Sequence, residues 1–149
     1  MKQITPHFTL DEFIKSDTAL RTGIKNEPSP NVLANIALTA DGLEKVRSIL
    51  GKPIFITSGY RSPTLNRFIG GSSSSAHCLG YAVDFKCPQF GNPDKIVREL
   101  KDSGIKYDQL ICEGGVIGWV HISFDPKMRQ GTLNALFDNT GKATYRKFV

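Results

Sequence analysis

Two short stretches of the sequence contain residue types that bind metals and move protons. In "SSSSAHCLGYAVDF", His77 lies seven residues before Asp84, and "GWVHISF" contributes His121. The alternation around Asp84 predicts a strand that projects this carboxylate from one face among apolar neighbours. Burial of a carboxylate is costly unless a partner compensates its charge. Two histidines and one carboxylate form a donor set that suits a catalytic zinc ion, because the fourth position then stays open.

Each of these residues also has a structural explanation when it is considered alone. Asp84 would accept hydrogen bonds from a neighbouring loop or from the guanidinium of Arg61, and a single histidine is more often hydrogen-bonded than metal-bound. His121 favours the metal-binding explanation, because it is a second polar residue projecting from a predicted strand. Spacing alone leaves the structural and the metal-binding explanations open.

The segments around these residues predict a mixture of helices and strands. Helices are indicated where an N-cap residue precedes an apolar periodicity, at Thr9, at Ser29 before Pro30, and at Asn92 before Pro93. The segment "FTLDEFIKSDTALRTG" is expected to form one short helix, and "SPTLNRFI" another. Strands are predicted for "KPIFITSGY", "YAVDFK", "YDQLICE" and "GWVHISF", and a hairpin is predicted to turn at residues 139–141. This order predicts an α+β fold with a small antiparallel sheet flanked by helices.

Composition limits the domain count and the classes of partner. The 149 residues predict a single domain over residues 1–149. The net charge of +5 is scattered along the chain, and no nucleic-acid-binding motif is present, so we expect no nucleic-acid partner. No apolar run reaches the ~20 residues of a membrane span. The N-terminus lacks the apolar core of a secretory signal, so synthesis in the cytoplasm without a signal peptide is expected.

A longer pattern connects the two stretches to a known family. Ser75, His77, Gly80, Ala82 and Asp84 fit Ser-x-His-x-x-Gly-x-Ala-x-Asp, and "WVH" follows at a suitable distance. The chain resembles the zinc D-Ala-D-Ala peptidase family, whose fold is shared with the Hedgehog signalling domain. The segments "ITSGYRSPTLNRFIGGSSSSAH" and "DQLICEGGVIGWVHISF" look like its small phage and prophage branch, which is endolysin-like. The resemblance runs from about residue 9 to residue 125.

The resemblance implies a zinc site and a general base. It makes His77, Asp84 and His121 the zinc ligands and Zn²⁺ the cofactor. In several members of the family a Glu three residues before the last histidine is the base, but this sequence has Gly118 there. The nearest upstream carboxylate is Glu113, which ends the preceding predicted strand. Strand parity would allow a hairpin to bring Glu113 beside His121, whereas a solvated turn carboxylate is the alternative.

The resemblance also implies substrate-binding residues. Arg61 in "SGYRS" is similar to the family arginine that binds a substrate oxygen or carboxylate, and it is expected to take part in catalysis; a structural pair with an acid is the alternative. Ser75 is expected to orient the site or the substrate, or else to stabilise its loop. Tyr60 and Trp119 are expected to form walls of the cleft, unless they are core aromatics.

The implied function is zinc-dependent hydrolysis of peptide bonds in peptidoglycan stem peptides. Both an endolysin-like endopeptidase and a D-Ala-D-Ala carboxypeptidase are compatible with the resemblance. The protein is expected to be a monomer that reaches the bacterial cell wall after holin-type release or as a virion component. The alternative is a non-catalytic, zinc-containing module that binds the cell wall or builds the virion.

Overall fold

The computed structural model describes residues 2–149, which form eight strands, five α-helices and two short 3₁₀ turns. The strands are β1 (Gln3–Thr5), β2 (Phe8–Thr9), β3 (Phe55–Ser58), β4 (Ala82–Lys86), β5 (Gln109–Glu113), β6 (Trp119–Ser123), β7 (Gly131–Phe137) and β8 (Ala143–Lys147). The helices are α1 (Leu10–Ile14), α2 (Asp17–Thr22), α3 (Pro30–Leu50), α4 (Pro63–Phe68) and α5 (Pro93–Ser103). The mixed α+β class predicted from the sequence is therefore present.

Six of the strands form one sheet in the order β3-β4-β6-β5-β7-β8. Every neighbouring pair in it is antiparallel except β5 and β7, which run parallel. The expectation of an entirely antiparallel sheet was therefore wrong at this pair. After β6 returns beside β5, the segment 124–130 passes the start of β5, because Ser123 and Gly131 both pair with Gln109. Strand β7 then starts on the free edge of β5 and must run in the same direction as β5.

The sheet has one apolar face and one polar face. Alternate strand residues enter a single hydrophobic core that also contains side chains of α3 and α5. The strand residues in this core include Val83, Phe85, Leu110, Cys112, Val120 and Ile122. Because successive strand residues point to opposite faces, Asp84, His121 and Glu113 project from the other face. The core thus holds rigid the strands from which the candidate site projects.

Capping residues set the helix ends largely as predicted. Thr9 and Glu12 form a capping box at α1, and the Ser29 side chain accepts the Val32 backbone N–H at the start of α3. The segment expected to be one helix forms two, α1 and α2. The break occurs where the side chain of Ser16 caps a new helix by accepting the N–H of Ala19. A small hairpin, β1 with β2, precedes them and was not anticipated.

The C-terminal segment forms the predicted hairpin of β7 and β8. Residues 138–142 make the turn, where Asp138 accepts the backbone N–H groups of Thr140 and Lys142. Gly141 has φ +82°, the left-handed conformation that favours glycine. Among residues 2–149, no helix has the length and apolar character that crossing a membrane requires.

Gly42, in the buried face of α3, supports a test of the packing. An ideal Cβ at this position would lie 2.6 Å from the Phe124 ring, which is buried in the core. Glycine to alanine normally stabilises a helix interior by ~0.5–1 kcal/mol. We expect Gly42→Ala instead to lower the free energy of unfolding by about 1–3 kcal/mol, because the core is overpacked. Urea unfolding measures this, with the exposed Lys45→Ala on the same helix as the control. A Gly42→Ala protein as stable as the wild type would contradict the packing.

Candidate metal centre and its cleft

Strand register brings the three predicted metal ligands together. Asp84 on β4 lies directly opposite His121 on β6. His77 comes from a 3₁₀ turn, Ala76–Leu79, which leads into β4 and ends at Gly80. One ligand atom from each of the three residues lies within 4.8 Å of the others. Residues separated by up to 44 positions in the sequence therefore form one compact donor set.

A backbone contact fixes the orientation of the His77 ring. Its Nδ1 lies 2.7 Å from the carbonyl oxygen of Gly59, which can only accept, so Nδ1 carries the proton. The lone pair of Nε2 then faces the Asp84 carboxylate at 3.4 Å. A side chain does not fit at Gly59, because an ideal Cβ there would lie 2.3 Å from the Phe13 carbonyl oxygen. A histidine held through its other nitrogen is typical of metal ligands.

The donor spacing fits a tetrahedral zinc ion. The Nδ1 atom of His121 lies 3.0 Å from Oδ1 of Asp84, the same oxygen that faces His77. Ligand atoms around tetrahedral zinc lie about 3.3 Å apart, because each bond is roughly 2.0–2.1 Å long. Two imidazole nitrogens converging on one carboxylate oxygen need a cation or a proton between them. The residues present therefore satisfy the chemistry of a three-residue zinc site. Two of the three distances between donor atoms are close to its spacing, and the third is within 4.8 Å.

The electrostatics of the three residues agree with a site built for positive charge. Burial acts to raise the pKa of Asp84, but His77 and His121 outweigh it and lower that pKa well below its usual range. Burial lowers the pKa of His77. Burial also acts against protonation of His121, yet the hydrogen bond and charge of Asp84 raise the pKa of that histidine. The carboxylate thus stays ionised, and His77 stays neutral and able to ligate.

Glu113 faces the same site from β5. The pairing of β5 with β6 places Glu113 opposite Trp119 and Ile111 opposite His121, so the sheet brings the end of β5 back to the metal ligands. The Trp119 indole Nε1–H donates to Glu113 Oε2 at 2.6 Å. Burial, and then the Asp84 charge, raise the pKa of Glu113. A carboxylate with a raised pKa beside a metal site is suited to accept and return a proton.

Gly118 explains why a carboxylate is absent from the position three residues before His121. An ideal Cβ at Gly118 would lie 1.6 Å from the carbonyl oxygen of Glu113. No side chain fits there while β5 ends as it does. The tight turn excludes a side chain at position 118, and Glu113, at the start of the same turn, faces the ligands.

Arg61 lies at the opposite side of the cavity from the hairpin. Its backbone N–H donates to the His77 carbonyl, which links it to the ligand turn. Its Nε is buried and has no hydrogen-bond partner among the residues that the structure describes. The side chains closest to the Asp84 carboxylate are those of the two histidines, so the alternative in which Arg61 neutralises Asp84 is not what the geometry shows. Arg61 also lines the cavity, so its guanidinium group borders the space that contains the metal ligands.

Two other predicted substrate-binding residues have structural contacts. The Ser75 side chain accepts the His77 backbone N–H and so caps the ligand turn, although Ser75 also lines the cavity. The placement of Tyr60 as a cleft wall was wrong. Tyr60 is only 6% exposed within the hydrophobic core. Its backbone N–H donates to the Phe13 carbonyl, which directs the side chain inward from the end of β3.

The ligands lie in an open cavity of about 840 Å³. One wall is the glycine- and serine-rich loop 70–75, continued by the 3₁₀ turn. The other wall is the β7–β8 hairpin, from which Leu133, Phe137 and Tyr145 line the cavity. Sequence reasoning missed these three residues. The alternation in "TLNALF" and "ATYRK" predicts two-faced strands, but nothing local indicates that they pair beside β5.

Comparisons with known proteins agree with this site. The model of the family described as Peptidase M15 matches residues 6–123, most of the chain. A zinc D-Ala-D-Ala carboxypeptidase from Streptomyces albus G is 42% identical over 52 residues. That match covers 34% of this chain and 20% of the Streptomyces protein, so the chain corresponds to about a fifth of that relative's length.

The metal site makes a direct prediction about zinc content. We expect wild-type protein to retain about one equivalent of zinc after dialysis, whereas His77→Ala loses it because two ligands remain. Elemental analysis by mass spectrometry measures the stoichiometry. His7→Ala is the matched control, since His7 is exposed and pairs with Glu44 far along the chain. Full zinc content in His77→Ala, or zinc loss in His7→Ala, would refute this ligand set.

Proposed function

The chain belongs to the peptidase M15 family, whose members are zinc-dependent metallopeptidases, and on that premise we propose that it hydrolyses peptide bonds in peptidoglycan stem peptides. The observation that carries this proposal is the convergence of His77, Asp84 and His121 with Glu113 in one open cavity. Ligands alone would suit a structural site. A partly buried carboxylate beside them, held by a hydrogen bond and facing the same space, indicates hydrolysis.

The residues divide the chemistry between them. His77, Asp84 and His121 would hold the zinc ion, which when bound polarises the scissile carbonyl and makes the attacking water more acidic. Glu113 accepts a proton from that water and returns it to the leaving amine. Trp119 fixes the orientation of Glu113 through the indole hydrogen bond. Arg61, which lines the cavity, would bind a substrate carbonyl or carboxylate oxygen through its guanidinium group.

For the bond that is cleaved, we favour an endolysin-like endopeptidase over a D-Ala-D-Ala carboxypeptidase. The cavity continues past the ligands on both sides, toward the loop 70–75 and toward the β7–β8 hairpin. A substrate chain therefore has room to extend on either side of the scissile bond. A carboxypeptidase needs room on one side only, with a group such as Arg61 to bind the terminal carboxylate.

We place the action of this protein at the bacterial cell wall. The stem peptides are found there, and the net charge of +5 favours attraction to an acidic wall polymer. Holin-type release or incorporation in a virion is the delivery route that the resemblance to small phage members supports. Action as a monomer is compatible with a site whose proposed ligands and base all belong to one chain.

The proposed base can be tested by Glu113→Gln. We expect this variant to bind zinc like the wild type but to lose at least about 100-fold in kcat, because general base catalysis typically contributes 10²–10⁴-fold. The measurement is release of new amino and carboxyl termini from purified peptidoglycan. Mass spectrometry of the fragments identifies the bond. The control is Glu99→Gln, an exposed position on α5.

The outcomes separate the candidate functions. Wild-type turnover by Glu113→Gln would show that Glu113 is not the base. Wild-type protein that binds zinc and peptidoglycan but releases no new termini would instead identify a non-catalytic wall-binding or virion module. Release of free D-Ala, with stem peptides shortened by one residue, would identify the carboxypeptidase.

The Trp119 hydrogen bond predicts a change in pH dependence. Glu113 must be ionised to accept a proton, so activity is lost as the pH falls through its raised pKa. The Trp119 indole acts to lower that pKa. Trp119→Phe keeps an aromatic ring but removes this donor, so the pKa of Glu113 rises further and the acid limb of kcat/KM should move to higher pH. A pH–rate profile measures the shift, and an unchanged acid limb would show that the indole does not control the base.

A further inference from the structure

The β7–β8 hairpin lies beyond the residues that match the family model, yet it forms a wall of the cavity. The match ends at residue 123, whereas the hairpin spans residues 131–147. Leu133, Phe137 and Tyr145 face the cavity that contains the metal ligands. The chemistry and this wall therefore come from different parts of the chain.

One row of residues across the sheet connects Tyr145 to the proposed base. Trp119, Glu113, Ala135 and Tyr145 are successive cross-strand partners on β6, β5, β7 and β8. With strands ~4.8 Å apart, the Cα atoms of Glu113 and Tyr145 are about 10 Å apart. Ala135 between them has only a methyl group and is fully buried. The longer neighbouring side chains cover this small residue, and Glu113, Trp119 and Tyr145 all line the same cavity.

Tyr145 combines an apolar ring with a hydroxyl that is open to the cavity. The residue is 54% exposed. Burial of its ring and the carboxylates of Glu113 and Asp84 raise the pKa of Tyr145, so the hydroxyl remains a hydrogen-bond donor at neutral pH. Leu133 and Phe137 beside it offer no polar side-chain atom. These three side chains can therefore contact a peptide group and an apolar side chain. The cations near them are Lys147, which lies opposite Leu133 on the strand face of Tyr145, and Lys127 and Arg129, which also line the cavity.

We propose that the β7–β8 hairpin is the substrate-binding wall on one side of the scissile bond, where the Tyr145 hydroxyl donates to a peptide carbonyl of the substrate. Leu133 and Phe137 then contact a small apolar side chain of the same segment. This inference rests on the proposed peptidase function and adds the residues that bind the substrate on one side of the scissile bond.

Tyr145→Phe tests the hydroxyl with minimal risk to folding. The substrates are synthetic stem peptides that share one scissile bond and are extended by single residues toward either end. We expect Tyr145→Phe to raise KM about 2–10-fold, the effect of losing one neutral hydrogen bond. This increase should occur only for peptides extended toward one end, with kcat for the shortest peptide unchanged. Tyr145→Ala, which also removes the ring, should give a larger increase for the same peptides.

Tyr81→Phe is the matched control, because Tyr81 is a partly buried tyrosine outside the cavity lining. It should leave KM unchanged for every peptide. Equal KM values for Tyr145→Phe, Tyr145→Ala and the wild type would overturn the inference. So would a uniform increase for peptides of all lengths, since that indicates a general structural effect.

A binding measurement separates this inference from the proposed function. Trp119 is the single tryptophan of the chain and stacks on Phe137 of the hairpin at 5.8 Å between ring centroids, so its fluorescence reports on this wall. Titration with the extended and short peptides gives Kd without turnover. If no stem peptide is cleaved but the extended peptides bind, and bind more weakly to Tyr145→Phe, the peptidase function fails while the wall stands. Cleavage with equal Kd values for wild type and both Tyr145 variants, or no peptide binding by the wild type, overturns the wall.

Discussion

The Asp84 carboxylate is the constraint on which the rest of the site depends. It is mostly buried at the centre of a sheet, where an uncompensated charge would be strongly destabilising. Both histidines converge on one of its oxygens, and each is held from a different direction. His121 is fixed by the β4–β6 register, and His77 by the Gly59 carbonyl. A metal cation is the partner that this arrangement fits, and its coordination and the local fold stabilise each other.

The sheet separates stability from chemistry because its residues alternate between two faces. On one face, strand side chains join α3 and α5 in the core, which fixes the strands. On the other, the same strands present the ligands and Glu113 at spacings set by backbone hydrogen bonds. Gly118 shows how tightly the two requirements are linked. Because Gly118 has no side chain, the chain can turn tightly from β5 to β6. The proposed base is therefore Glu113, at the end of β5, and not a residue at position 118.

The sequence was sufficient to predict most of the elements, but not the β1–β2 hairpin, the break between α1 and α2, or every pairing. The period of two allowed Glu113 to share a face with His121, and the observed register agrees. Strand β7 beside β5 was not predictable, because local alternation says which face a residue occupies and nothing about which strand edge is free. Tyr60 failed for a similar reason: a hydrogen bond to the distant Phe13 carbonyl determines its direction. Whether Arg61 and Ser75 contact substrate remains a prediction.

The aromatic stack joins the part of the chain that matches the family to the part that does not. Phe137 stacks on Trp119, and the Trp119 indole donates a hydrogen bond to Glu113. Within residues 2–149, Trp119 is the only residue whose side chain is hydrogen-bonded to the proposed base, and the hairpin contacts it directly. A substitution at Phe137 would therefore alter a contact of the indole that orients Glu113. Tyr145 and Leu133 have no such contact with the base. Substrate preference can therefore vary at these two positions while the stack keeps the proton-transfer geometry constant.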